Sequence, residues 1–235
     1  MKNILVLIFT LMTLCLFDFS ASAYETDIFK IDIPEEFSTL TENDVEGSKV
    51  MLWTDSSDNS NVSITVCQND GYCYADLTDV QKASVNSSFI SQVEREIIDS
   101  LKIYSIGYKI TDSTSNNVEI NGSKGLELIY NSVYTYEDGS TLQSKNYAYL
   151  FSSENNAITI TALINDEEKL YLVEELINSF EFKEEVYFIS EVDESASFDS
   201  YELVKWVLVG AAGGGAVGLF IAKRKKSAPE TNLPV

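Results

Sequence analysis

The sequence predicts an α+β domain, with helices packed on an antiparallel sheet, set between two terminal segments that do not belong to the fold. Three observations carry this. Short runs rich in β-branched and aromatic residues, separated by turn-forming residues, recur through positions 29–164. Two longer segments repeat their apolar residues at helical spacing instead. The order along the chain is strands, a helix, four strands, a helix, which suits helices stacked on an antiparallel sheet rather than alternating β–α units.

Residues 1–23, MKNILVLIFTLMTLCLFDFSASA, have Lys2 near the start, an apolar run from Ile4 to Phe17 and the small-residue ending Ala21-Ser22-Ala23. That is the pattern of a secretory signal peptide, with cleavage expected between Ala23 and Tyr24; an uncleaved N-terminal anchor is the alternative. Cys15 follows Leu14 inside the apolar run, which argues against a lipoprotein signal.

The exterior domain is expected over residues 24–183. In DIFKIDIP, Phe29, Ile31 and Ile33 alternate with polar residues up to Pro34, a strand ended by proline. KVMLW (49–53) and NVSITVC (61–67) flank the turn-rich TDSSDNS and predict a hairpin. In SFISQVEREIIDSLK, Phe89, Val93, Ile97 and Leu101 recur every four residues, an amphipathic helix with Ser87 or Ser88 as its cap. GYKITDS and NNVEING are read as two strands bracketing a turn. KGLELIYNSVYTY and SKNYAYLFSS meet at Asp138-Gly139, a hairpin signal, and NAITITALI completes a meander. In NDEEKLYLVEELINSF, Leu170, Val173, Ile177 and Phe180 share a helix face, Asn165 and Glu168 resemble a capping box, and FEF returns to extended chain.

Residues 184–202 are acidic and serine-rich and read as a solvated stalk, with Val186–Ile189 alternatively a last edge strand. Residues 203–222 predict a transmembrane helix. From Trp206 to Ala222 there are 17 uncharged residues, which as a helix span about 26 Å. Five glycines within nine positions suit a membrane helix better than a soluble one. Lys223, Arg224, Lys225 and Lys226 mark the cytoplasmic end, so residues 223–235 form a basic inner tail and the domain lies outside. No glycosylphosphatidylinositol signal ends in such charge, and Leu233-Pro234 falls after the span rather than before it as a sortase signal requires. Gly210, Gly214 and Gly218 lie on one helix face, either as a seam for self-association or a partner helix, or as small residues filling a lone span.

Composition narrows the function. The formal charge is −21, and residues 24–201 hold 10 Lys+Arg against 34 Asp+Glu, a difference of −24. Such a surface repels nucleic acid. There is no histidine, which removes the commonest general base and metal ligand and every Ser-His or Cys-His pair. No metal or cofactor motif stands out, and none is expected. DSSDNSN (55–61) lacks the glycine and glutamate of a calcium loop and reads as a polar turn. Cys67 and Cys73, in CQNDGYC, are expected to pair as a structural disulfide clip in an oxidising space; a C-x5-C redox pair or a two-thiol zinc site fits less well. Tyr130, Tyr134, Tyr136, Tyr147 and Tyr149 suggest an aromatic ladder, as sheet packing or as a ligand platform. Asn61, Asn86 and Asn121 begin N-x-S sequons.

FKIDIPEEF, NVSITV, SFISQVEREIIDSLK, YKITDSTSNNVEINGSKGLELIY, SKNYAYLFSSENNAITITALI and VEELINSFEF together resemble PsbP-like domains over residues 28–182. The resemblance implies an α/β/α sandwich around a central antiparallel sheet and a binding or assembly role without a shared catalytic motif. The C-terminal anchor and the cysteine pair depart from that pattern. The expected function is a non-catalytic, membrane-tethered exterior binding or assembly module, its partners being the membrane and other membrane or envelope proteins. Two alternatives are a carboxylate-dependent envelope hydrolase and a membrane-complex subunit acting through its glycine-rich anchor.

Overall fold

The structure, a computed structural model, describes residues 22–45, 48–69 and 73–185. Proline and turn residues set its first elements. β2 (Phe29–Ile33) buries Phe29, Ile31 and Ile33, leaves Lys30 and Asp32 half-exposed, and stops at Pro34. β1 (Ser22–Glu25) and β10 (Glu181–Phe182) flank it antiparallel, giving a three-stranded sheet.

The main sheet has seven antiparallel strands: β3 (Thr39–Val45), β4 (Ser48–Thr54), β5 (Asn61–Gln68), β6 (Gly107–Ile120), β7 (Ser123–Thr135), β8 (Thr141–Ser152) and β9 (Asn156–Ile164). Their order is β3-β4-β5-β9-β8-β7-β6. Two hairpin runs, β3 to β5 and β6 to β9, meet at the central β5–β9 pair. The hairpin expected at Asp138-Gly139 is present, with Gly139 at φ 79°.

Residues 107–120 differ from expectation. They form one 14-residue strand, with no turn inside it, and a register shift between Ile110 and Asp112. The polar residues that read as turn-formers face a helix instead. Asn86 Nδ2 donates to Ser113 Oγ at 3.0 Å, Ser115 Oγ to Lys82 O at 3.3 Å, and Asn117 Nδ2 to Leu77 O at 2.9 Å. These bonds fix one face of the edge strand to the helix and the residues before it. The reversal comes at Asn121-Gly122, with φ 49° and 82°, the backbone an Asn-Gly hairpin turn requires.

That helix, α1 (Asp79–Leu101), begins well before Ser87. Thr78 is its cap: Gln81 N–H donates to Thr78 Oγ1 at 3.3 Å and Thr78 N–H to Gln81 Oε1 at 2.9 Å, a reciprocal capping box. Val85 adds one turn to the buried row Phe89, Val93, Ile97 and Leu101. Glu94 reaches the sheet, and Ile110 N–H donates to its Oε1 at 2.8 Å beside the register shift. Glu94→Ala would orphan this donor and should cost about 1–2 kcal/mol in urea denaturation. Glu94→Gln keeps an acceptor and should retain most of the stability.

α1 packs on Leu126, Leu128, Tyr130, Ala148 and Leu150 of the main sheet. The opposite face buries Met51, Trp53, Ile64, Phe151, Ile158 and Ile160 against β2 and the second helix, α2 (Tyr171–Asn178). Helices thus lie on both faces, as expected, but the three-stranded sheet shares the second outer layer. α2 does not start at an Asn165 cap. A 3₁₀ turn, Glu167–Lys169, precedes it and is capped by Asp166, whose Oδ1 accepts from Glu168 N–H at 3.0 Å. Asn165 is engaged sideways, accepting from Ser144 Oγ at 2.6 Å and donating to Asp58 O at 3.1 Å.

The two ends of the domain are tied together. Lys183 Nζ donates to Glu25 Oε1 at 2.7 Å, and Glu184 accepts from Ser153 Oγ and, at 2.8 Å, from Asn156 Nδ2. The signal peptide up to Ala21, the stalk from residue 186, the span with Gly210, Gly214 and Gly218, and the basic Lys223, Arg224, Lys225 and Lys226 lie outside the described residues. Among the described residues no helix is long and apolar enough to cross a membrane. The expected cleavage point falls within β1, where Ala23 faces Asp32 and Tyr24 faces Ile31. Tyr24 is held by its hydroxyl donating to Glu42 Oε1 at 2.9 Å and by an edge-on contact with Trp53 at 5.1 Å.

Candidate functional site

The cysteines are not bonded to each other. β5 pairs Cys67 with Ala157 and turns its side chain into the α1-side core, where Sγ lies 3.7 Å from Ala157 O. Cys73 is half-buried, with Sγ directed 3.8 Å from Ala75 O. The expected clip between Cys67 and Cys73 is not formed in this structure.

The DSSDNSN turn is organised around an ammonium group. Lys169 Nζ lies 2.5 Å from Asp55 Oδ2, 3.1 Å from Asp58 Oδ2 and 2.9 Å from Ser57 Oγ. Burial alone would raise the Asp55 carboxyl. The hydrogen bonds from Lys169 and from the Ser57 hydroxyl and amide outweigh it and hold Asp55 below the usual carboxylate range. A depressed folded pKa gives stability that is full above the unfolded value, about 3.9, and lost as pH falls through the folded one. Urea midpoints measured from pH 6 to pH 2 should therefore fall less steeply in Asp55→Asn than in wild type.

The tyrosines do not form one ladder. Tyr130 and Tyr134 face α1, Tyr130 edge-on to Phe89 at 5.4 Å and Tyr134 against Tyr108 at 5.0 Å. Burial raises both hydroxyls far above their ordinary range, so they stay neutral. Tyr147 and Tyr149 face the other way, towards α2. Among the sequons, Asn61 is buried, Asn86 is committed to Ser113, and exposed Asn121 donates to Asn178 O at 2.9 Å and Phe180 O at 2.8 Å.

Tyr147 and Tyr149 open onto a trough of about 470 Å³. α2 has only eight residues and leaves part of the sheet uncovered beside it. Val118 and Ile120 of β6 and the two tyrosines of β8 form the floor; Leu170, Val173 and Ile177 form the wall. Glu119, Glu127 and Glu174 add three carboxylates, and no lysine or arginine lines it among the described residues. Burial, then the charge of Glu127 and a hydrogen bond to it, raise the Tyr149 hydroxyl, so it serves as a neutral donor. Glu127 also accepts from Asn116 Nδ2 at 3.1 Å. Lys145 Nζ sits 5.5 Å from the Tyr147 ring centroid, so that ring already engages a cation. On the other side of α2 lies a second cleft, of about 190 Å³, lined by Asp32, Glu35, Glu36, Tyr171 and Glu175. The sequence singles out Tyr147 and Tyr149 but not the carboxylates, which come from separate elements.

No family model matches the chain, and no curated protein matches it. Solved structures do show likeness of fold. One is the solution structure of cyanobacterial PsbP (CyanoP) from Synechocystis, 14% identical, covering 71% of this chain and 95% of that one, with a TM-score of 0.44. Another is a crystal structure from Bacteroides thetaiotaomicron, 18% identical, covering 67% of this chain and 46% of that one, with a TM-score of 0.35. A third is the Ran-binding protein Mog1p of Saccharomyces cerevisiae, 10% identical, covering 70% of this chain and 97% of that one, with a TM-score of 0.33. The likeness is one of fold alone.

Proposed function

We propose that this chain is a non-catalytic binding or assembly module, held outside a cell membrane by a single C-terminal span, and that the trough beside α2 is its contact surface. The observation that carries the reading is the trough: an open surface on which Tyr147 and Tyr149 lie beside apolar residues and the carboxylates of Glu119, Glu127 and Glu174. Binding surfaces are commonly built this way, with aromatic anchors for contact area and a polar rim for orientation. The tether rests on the leader pattern, the uncharged run 206–222 and the basic flank 223–226.

Cross-linking in native membranes tests the reading. Tyr147→Asp should abolish recovery of the cross-linked partner, whereas Val80→Asp, at an 81% exposed position on α1, should not. Equal recovery from both variants would overturn it. Glu127 and Glu174 share the trough, which favours the hydrolase as a second reading. Turnover of an envelope glycan that disappears in Glu127→Gln would establish that activity and displace the non-catalytic one. For the anchor, Gly214→Ile should weaken self-association of the span more than Ala216→Ile if the glycines form a seam.

A further inference from the structure

We infer that the partner docks as an extended protein segment with two basic side chains four residues apart, one entering each cleft beside α2. This rests on the binding-module reading and specifies its ligand. α2 sends its sides into different clefts: Val173, Glu174 and Ile177 line the trough, while Leu172 and Glu175 line the smaller cleft. Each cleft combines carboxylates with a tyrosine ring and apolar atoms, the surroundings that suit the long aliphatic stem and charged head of lysine or arginine. Tyr171, 49% exposed, supplies the ring of the smaller cleft, as Tyr147 does in the trough.

The spacing follows from dimensions. A helix with its side chains is about 10–12 Å across. An extended segment rises about 3.3 Å per residue and turns alternate side chains to the same face. Positions i and i+4 therefore lie about 13 Å apart on one face, enough to straddle α2, with i+2 above the helix. Adjacent basic residues point to opposite faces and cannot fill both clefts.

The test compares two fluorescent peptides of equal charge, one containing Lys-Ser-Val-Ser-Lys and one containing Lys-Lys-Ser-Val-Ser, binding to the full chain in zwitterionic detergent. The spaced peptide should bind about fivefold tighter, the gain from one additional exposed charge pair. Glu127→Gln/Glu174→Gln and Glu36→Gln/Glu175→Gln should each remove that advantage, while Glu137→Gln/Asp138→Asn, on the exposed β7–β8 turn, should leave it. Equal affinity of the two peptides, or equal losses in all three variants, would overturn the inference. If spacing has no effect while Tyr147→Asp still abolishes partner recovery, the straddling mode fails and the binding-module reading stands. If Tyr147→Asp leaves recovery unchanged, that reading fails by itself.

Discussion

Gly125→Ala should destabilise the domain by about 3 kcal/mol or more, the upper part of the range for forcing atoms into a packed interior. Gly125 lies in β7 directly opposite Phe151 of β8. A Cβ there would collide with the Leu150 carbonyl oxygen and stand 2.7 Å and 2.9 Å from the Phe151 ring carbons Cδ1 and Cε1. The ring is fully buried, and a carbonyl oxygen within a strand ladder cannot be moved without breaking pairing. Gly107→Ala is the control: its added Cβ would meet nothing nearer than Thr135 Cβ at 3.5 Å, an ordinary contact. Denaturant midpoints of the two variants should separate widely. Similar midpoints would mean that β7 and β8 do not approach as described.

Phe180→Ala should cost about 3–5 kcal/mol, the usual loss for a large aromatic removed from a core. Phe180 is fully buried between α2 and β10. Its ring stacks on Phe151 at 4.7 Å and lies 6.3 Å from both Phe29 and Phe182. One side chain therefore joins the main sheet, the small sheet and the end of α2. Its loss should loosen the helix that walls the trough, so partner binding should fall together with stability. Phe180→Leu keeps most of the volume and should cost clearly less by urea denaturation. A Phe180→Ala variant as stable as wild type would show that the small sheet and α2 hold their places without this cluster.

Periodicity made most of the fold legible, and its failures have local causes. The β7–β8–β9 meander and the β4–β5 hairpin were readable because alternation and turn residues agree there. α1 was read short because Gln81 to Ser84 add no apolar residue to its buried row, although Thr78 and Gln81 carried a capping signal. β6 reads as two strands because the polar run between GYKITDS and NNVEING resembles a turn when the contacts of Ser113, Ser115 and Asn117 with Asn86, Lys82 and Leu77 are unknown. β1 was missed because Ala23 belongs to the leader pattern, and β3 because four consecutive exposed residues, Thr41 to Asp44, hide its alternation. The trough was half legible. Two of its tyrosines stand out at a spacing of two, but Glu127 and Glu174 gain meaning only when β7 and α2 come together, a tertiary fact that no local pattern encodes.

The central claim, that this domain binds its partner through the face beside α2, is tested most directly by site-specific photo-cross-linking of the full chain in its native membranes. A photoreactive residue would replace Tyr147 on the trough floor, or Lys102, exposed just beyond the end of α1 on the opposite face. The account predicts a discrete adduct from position 147, suppressed by added Lys-Ser-Val-Ser-Lys peptide, and none from position 102. No adduct from position 147, or adducts of equal yield from both, would contradict it.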